Sequence, residues 1–451
     1  MTRIARSALV LMAVACSAAW ADCNTSTVVN NTGTLQTSTD RALGCVVRNL
    51  YGPGGLTLPN PTHRAHFSNE SQANLTPLNA ALGTQLTLLP LASPASGYTF
   101  TFDPAAGVYT RSSQTFGPIL SERAETIGRG KVYFGFTFQH YNFDKIDGFD
   151  IHNFPAVFGH DAVPSSPEFE KDIIFTQNSV NLEINQSTFF ATVGITNRLD
   201  LSVAVPIVDA SIDATSNASI IRVAAPIAGF QAHWFDAANP QTSTQKTFLN
   251  SGSATGIGDI TIRGKGTLWK NDTSGIALGA DVRLPSGDET NFLGSGAAGF
   301  KPFVAASTRL GPASPHVNLG YQWNGDSVLA GNLATNTKAS LPDQFLWTVG
   351  SDIGVTRFAT LALDILGQRV IDAPRLLPKT FHTLPSDLVT TSLSFPEIST
   401  ANQSFNIVNG SVGVKVSLSH NFLATANLLI MLNDGGLRDR YAPLFGISKT
   451  F

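Results

Sequence analysis

Val132-Tyr-Phe-Gly-Phe-Thr-Phe-Gln139 changes character at every residue. Val132, Phe134, Phe136 and Phe138 fall on one side; Tyr133, Gly135, Thr137 and Gln139 fall on the other. A period of two belongs to a β-strand, because successive side chains of an extended chain point to opposite faces. The alternation returns at 179–195, 199–212, 256–269, 275–285, 300–310, 316–324, 343–354, 359–371, 405–420, 423–433 and 441–451. Many of these runs are close to the roughly 9–11 residues with which a tilted strand crosses a bilayer. Ile276, Leu278, Ala280, Val282 and Leu284 make one such apolar face, and Val317, Leu319, Tyr321 and Trp323 another.

The connections between the runs are sorted by length. Short links at 196–198, 270–274, 311–315, 355–357 and 421–422 alternate with long ones at 213–255, 286–299, 325–342 and 372–404. Short periplasmic turns set against long outer loops mark an outer-membrane barrel, whereas a soluble sandwich has no reason to sort its loops. The expected fold is all-β, a transmembrane antiparallel up-and-down barrel over 128–451 with both ends periplasmic. It has twelve strands, or fourteen if a hairpin at 98–111 joins the wall.

Composition agrees with that reading. Only 14% of the 451 residues are charged, against roughly 25% in an average soluble domain. No stretch reaches the ~18 consecutive apolar residues of a spanning helix. A net charge of −3 leaves no basic footprint for nucleic acid. Arg3 and Arg6, the apolar run Ala8–Ala15 and Ala19-Trp20-Ala21 read as a secretory signal over 1–21. A lipoprotein reading at Cys16 lacks the usual Leu three residues earlier. Cleavage leaves Cys23 and Cys45, an even pair in an exported chain and most simply one disulfide. Phe451, preceded by Ile447 and Phe445 on the same face, looks like the closing strand of a barrel, with Lys449 interrupting the apolar register.

The face turned from lipid carries the charges. By parity it holds Glu183, Asp200, Arg263, Lys265, Asp281, Arg283, Asp352, Asp364 and Lys415. An unpaired buried charge is costly, so a lumen braced by ion pairs and hydrogen bonds is expected. Residues 22–127 lack the barrel pattern and are expected to form a periplasmic or lumen-plugging segment. Leu75, Leu78, Ala81 and Leu82 give it a short helix within Glu70–Leu91. In the first outer loop, Tyr141, Phe143, Phe149, Phe154 and Phe158 are candidates for an entrance funnel, or simply pack the loop on the rim. Asp144, Asp147 and Asp150 lack the alternate spacing of an EF-hand loop. Gly294-Ser-Gly-Ala-Ala-Gly299 has no βαβ surroundings and reads as chance. The nine histidines are scattered along the chain, and no catalytic cluster, metal site or cofactor site is expected.

Ser121-Glu-Arg-Ala-Glu-Thr-Ile-Gly-Arg-Gly-Lys-Val-Tyr-Phe-Gly-Phe136 with Gln139-His-Tyr141 resembles the first barrel strand of a known family. Thr196-Asn-Arg-Leu-Asp-Leu-Ser-Val-Ala-Val-Pro206, Gly256-Ile-Gly-Asp-Ile-Thr-Ile-Arg263 and Leu284-Pro-Ser-Gly-Asp288 follow in order. From about Ser96 to Phe451 the set resembles the bacterial outer-membrane family named for the meta-pathway of phenol degradation. The resemblance implies an architecture like that of the fatty-acid and toluene channels. It also implies passive uptake of small hydrophobic or aromatic compounds across a Gram-negative outer membrane, and no enzymatic activity. The implied partners are outer-membrane lipid and lipopolysaccharide, periplasmic chaperones, the barrel-assembly machinery and the solute. A general diffusion porin and a closed structural or adhesion barrel are the alternatives.

Overall fold

The computed structural model describes Cys23 and residues 42–93, 100–103, 108–111, 115–160, 171–223, 231–385, 389–419 and 421–451. The expected leader at 1–21 lies outside these residues. Twelve strands form the wall: β1 (Val132–Asn142), β2 (Ile173–Thr196), β3 (Leu199–Ile221), β4 (Thr261–Lys270), β5 (Ser274–Arg283) and β6 (Gly299–Thr308) come first. They are followed by β7 (Ala313–Asn324), β8 (Gln344–Thr356), β9 (Ala359–His382), β10 (Ser394–Ser419), β11 (Phe422–Met431) and β12 (Tyr441–Thr450). Each pairs antiparallel with its neighbour, and β12 returns to β1 from Leu444↔Gln139 to Thr450↔Tyr133. Phe451 and Val132 exchange backbone hydrogen bonds (2.8 and 3.3 Å) at the seam. Closure leaves no free edge in the bilayer, where an unpaired backbone group would find no water. The 100–103 and 108–111 strands pair only with each other, so the wall has twelve strands.

The outward faces form an apolar belt: Phe189, Val193, Leu201, Ile276, Leu278, Val304, Leu319, Val349, Ile365, Val412 and Phe445 are among its exposed residues. Phe300 and Trp323 stack with ring centroids 6.0 Å apart. Lys449 faces outward, its ammonium 4.4 Å from the Phe422 ring centre and 4.5 Å from that of Phe451. Its stem lies along the belt while cation–π contact offsets part of the desolvation of the charge. With this belt and the short turns at one end, the molecule is a Gram-negative outer-membrane barrel. No helix among the described residues is long and apolar enough to cross a membrane.

Strands β2, β3, β9 and β10 run 24, 23, 24 and 26 residues, about twice what the bilayer requires. The long links at 213–255 and 372–404 are therefore largely continued wall. The two faces exchange polarity along these strands. On β2, Phe189, Val193 and Ile195 point outward and Thr188 and Thr192 inward; higher up, Asn181 and Glu183 lie outside while Val180, Leu182 and Ile184 are buried inside. On β3, Leu199 and Leu201 are outside and Asp200 and Ser202 inside, then Asp209 and Asp213 are outside and Ala210 and Ile212 inside. Outside the lipid, the wall obeys the rule of a water-soluble protein.

Residues 42–93 and 115–127 of the N-terminal segment fill the interior. Its helix α1 (Ser68–Leu86) buries Leu75, Leu78, Ala81 and Leu82, as the spacing predicts, but also Ser71, Asn79, Thr84 and Gln85. A helix enclosed on most sides needs no single apolar stripe. It stops at Leu86, four residues before Pro90. Phe67, Leu43, Val46, Leu56 and Leu58 join Ile174, Leu182 and Ile212 of the wall in one hydrophobic core.

Candidate functional site

The periplasmic half of the lumen is crossed by residues 115–127, which have no regular structure and satisfy their backbone on the wall. Phe116 N–H donates to Thr360 Oγ1 (3.0 Å), and Lys415 Nζ donates to the carbonyls of Pro118 (2.5 Å) and Phe116 (3.3 Å). Glu122 N–H donates to Asn318 Oδ1, whose Nδ2 donates back to Glu122 O (2.6 and 2.7 Å). Ala124 N–H reaches Ser307 Oγ, Thr267 Oγ1 donates to Ala124 O, and Ile127 N–H donates to Asp200 Oδ2. An irregular chain inside a barrel must find such partners, since a buried unpaired amide costs about 1–3 kcal/mol. The chain then crosses β2 so closely that a Cβ on Gly194 would overlap Gly128 O, and Gly130 N–H bonds Gly194 O (2.8 Å).

Charge is concentrated around Glu122. Lys265 Nζ donates to its Oε2 (2.9 Å), and Arg263 pairs with its Oε1. Arg263 also grips Asp281 in a two-pronged contact (2.6 and 2.7 Å), and Lys301 reaches Asp281 Oδ2 (2.9 Å). A fixed guanidinium fork on a carboxylate holds both groups in one geometry. Arg283 stands 3.6 Å from Asp259 and donates to Asn324.

Ser121, His316 and Asp364 also meet, in an arrangement that is not a hydrolytic relay. Ser121 Oγ (2.9 Å) and Asp364 Oδ1 (2.6 Å) both approach the same nitrogen, His316 Nε2, while Nδ1 faces Ser314 O. A relay needs the acid on one ring nitrogen and the nucleophile on the other.

Above this layer lie two cavities. The larger, about 230 Å³, is bounded by 87–93 and 120–122 of the N-terminal segment and by Arg263, Asp281, Lys301, Phe303, Gln344 and Gln368 of the wall. The smaller, about 100 Å³, is lined by Leu86, Leu91, Val208, Phe292, Leu293 and Leu329 among others. The two share Thr87, Leu89, Leu91, Thr261 and Arg283, so they adjoin.

Further out, the interior is a packed apolar core. The five aromatics that were candidates for an entrance funnel or for packing the loop turn inward: Tyr141, Phe143, Phe154 and Phe158 are buried, and Phe149 packs partly buried beside them. The reason is the exchange of polarity above the lipid, which leaves the lumen as the only dry place for a ring. Tyr51 joins this core, its hydroxyl donating to Asn178 Oδ1 (3.1 Å) and contacting Ser216 Oγ (2.7 Å). Burial pushes its pKa up to about 12. Asp147, in the left-handed region at φ 51°, accepts from Arg375 Nε, Leu376 N–H and Gly436 N–H. It ties the first loop to the β9 extension, while Asp144 and Asp150 bond separate backbone amides. The glycines of 294–299 serve packing: Gly294 lies against Gly287, and Asp259 accepts from Gly287 and Ser295 N–H. Cys23 and Cys45 are bonded, Cα–Cα 5.4 Å.

Of the nine charges placed in the lumen by parity, Asp200, Arg263, Lys265, Asp281, Arg283, Asp352, Asp364 and Lys415 face inward. Asp352 is buried among His316, Lys415 and Arg123. Glu183 faces out, flanked by buried Leu182 and Ile184, because it lies beyond the exchange point. Sequence reasoning missed Ser121, Glu122, Lys301 and His316 as partners. The charged run Ser121-Glu-Arg-Ala-Glu125 just before the first strand was the available signal.

Residues 174–351 match the model of the family described as MetA-pathway of phenol degradation, the family the sequence resembles. No curated protein matches the sequence. Among solved structures, an outer membrane channel from Pseudomonas putida F1 is 12% identical, with 73% of this chain and 99% of that one covered and a TM-score of 0.43. A FadL homologue from Pseudomonas aeruginosa is 10% identical (79% and 96% covered, TM-score 0.31), and the toluene transporter TbuX of Ralstonia pickettii 11% (72% and 90%, 0.31).

Proposed function

We propose that this barrel is an outer-membrane channel for passive uptake of small hydrophobic or aromatic compounds, held shut at rest by residues 87–93 and 115–127. The observation that carries this reading is the pair of adjoining cavities, the outer one lined by aliphatic side chains together with Asp259 and Arg283 and the inner one lined by more charges, closed below by a segment held through non-covalent contacts. An apolar cavity of roughly 150 Å³ holds benzene, so 230 Å³ admits a single aromatic ring. On this reading the leucines of the outer cavity receive the solute, and release requires residues 115–127 to leave Glu122's cationic partners. The aromatic cargo named for the Ralstonia pickettii neighbour is consistent with it. Acyl chains meet the belt directly; lipopolysaccharide, periplasmic chaperones and the assembly machinery are the further partners of this reading.

The density of contacts made by 115–127 favours a second reading, a closed barrel whose outer loops bind a partner. Flux through purified protein in proteoliposomes with a lipopolysaccharide leaflet separates the two. A labelled monoaromatic should enter faster than into empty liposomes while a sugar of similar size does not. Sugar entry would make the protein a diffusion porin, and no flux above the empty vesicles would leave the closed barrel.

A further inference from the structure

Four of the nine histidines, distant in sequence, converge at the outer end of the plug. His63 and His66 precede α1, His160 follows the strand Phe154–Gly159, and His233 lies in the link between β3 and the strand Gln245–Ile257. One ring nitrogen from each lies within 4.8 Å of the others. His63 Nδ1 is 3.2 Å from His66 Nδ1, which is 2.6 Å from His160 Nε2. Nitrogens bound to one tetrahedral zinc at about 2.0–2.1 Å stand about 3.3 Å apart, so the two short separations lie near that spacing while the widest must close by up to about 1.5 Å, within reach of side-chain rotation.

The second observation concerns His233, which is fully buried. Its Nδ1 donates to Asp172 Oδ2 (2.8 Å), and Asp172 Oδ1 accepts from Val223 N–H (2.8 Å). That bond fixes the tautomer and leaves Nε2 as a lone pair, which finds no hydrogen-bond partner among the described residues. A carboxylate behind a histidine is the usual outer support of a metal ligand. Phe67 backs the group, its ring 5.4 Å from His160 and 5.1 Å from His233. The other three rings are half-buried, so the group is reachable from outside. An all-imidazole set suits zinc or copper and not calcium or magnesium, which require oxygen.

We propose that His63, His66, His160 and His233 form a binding site for one divalent transition-metal ion of the zinc or copper class. The ion staples the plug, through His63 and His66, to the first and second outer loops, through His160 and His233. It stabilises the closed mouth because only the folded arrangement gathers all four ligands.

The test uses the full mature chain without a histidine tag, stripped with chelator and titrated with Zn²⁺ and, separately, Cu²⁺ at neutral pH. One ion per chain is expected, with several equivalent nitrogens in the copper electron-spin resonance spectrum. The His66→Gln/His160→Gln double variant should lose stoichiometric binding, and Asp172→Asn should weaken it about 10–100-fold. The exposed His152→Gln should change nothing. Heat-dependent electrophoretic mobility shows in each case whether the barrel is folded, and Asp172→Asn keeps all four ligands if the double variant is not. Failure of the folded wild-type protein to take up either ion stoichiometrically overturns the proposal. So does unchanged affinity in a folded double variant or in Asp172→Asn. Flux measurements play no part, so the site and the channel reading stand or fall separately.

Discussion

Within the bilayer the barrel is apolar outside and charged inside; above it the same strands are polar outside and apolar inside. Phe189 and Glu183 are both outward residues of β2, six positions apart. Lipid solvates one and water the other, so the inward partners change as well, from Thr188 and Thr192 to Leu182 and Ile184. The plug follows suit. Residues 115–127 bond polar walls with backbone amides and Glu122, whereas α1 and the residues before it pack against aliphatic walls. One interior thus combines a water-like lumen with a globular core.

Glu122→Ala should have the largest effect. It leaves Lys265 and Arg263 buried without their shared carboxylate, at a cost of about 3–5 kcal/mol, read as a lower denaturant midpoint together with higher vesicle leak. Leu182→Ala, in the outer core, should cost about 2–5 kcal/mol without opening the lower lumen. Leak comparable to that of Glu122→Ala would mean that the two halves are not separate. Phe189→Lys puts a charge in lipid and should cost about 2–4 kcal/mol, whereas Glu183→Lys should stay within about 0.5 kcal/mol. Equal penalties at these two positions would place the exchange point elsewhere. All three comparisons use urea unfolding in the same detergent.

Reading the strands was straightforward because period two survives whichever face is wet. Leu75, Leu78, Ala81 and Leu82 disclosed the helix, and eight of the nine lumen charges obeyed parity. Glu183 did not, since alternation says which residues share a face but not what solvent that face meets. The same gap left Phe143 and Phe158 open between an entrance funnel and packing: aromatics in an outer loop look like a rim until the wall is seen to continue past them. Glu122 and His316 were invisible for another reason, as each is defined by a partner roughly 140 or 50 positions away in the chain.

By itself the sequence determined an all-β barrel wall of twelve or fourteen strands and the disulfide-bonded pair Cys23–Cys45. Those features are written in local periodicity, loop length and composition, which need no knowledge of distant neighbours. Only the tertiary structure decided that the wall has twelve strands, that residues 42–93 and 115–127 fill the lumen, that Glu122 joins β4 to the plug, and that four scattered histidines meet at one point. Closing a barrel brings strands far apart in sequence onto one enclosed surface, and what binds there is set by that surface as a whole.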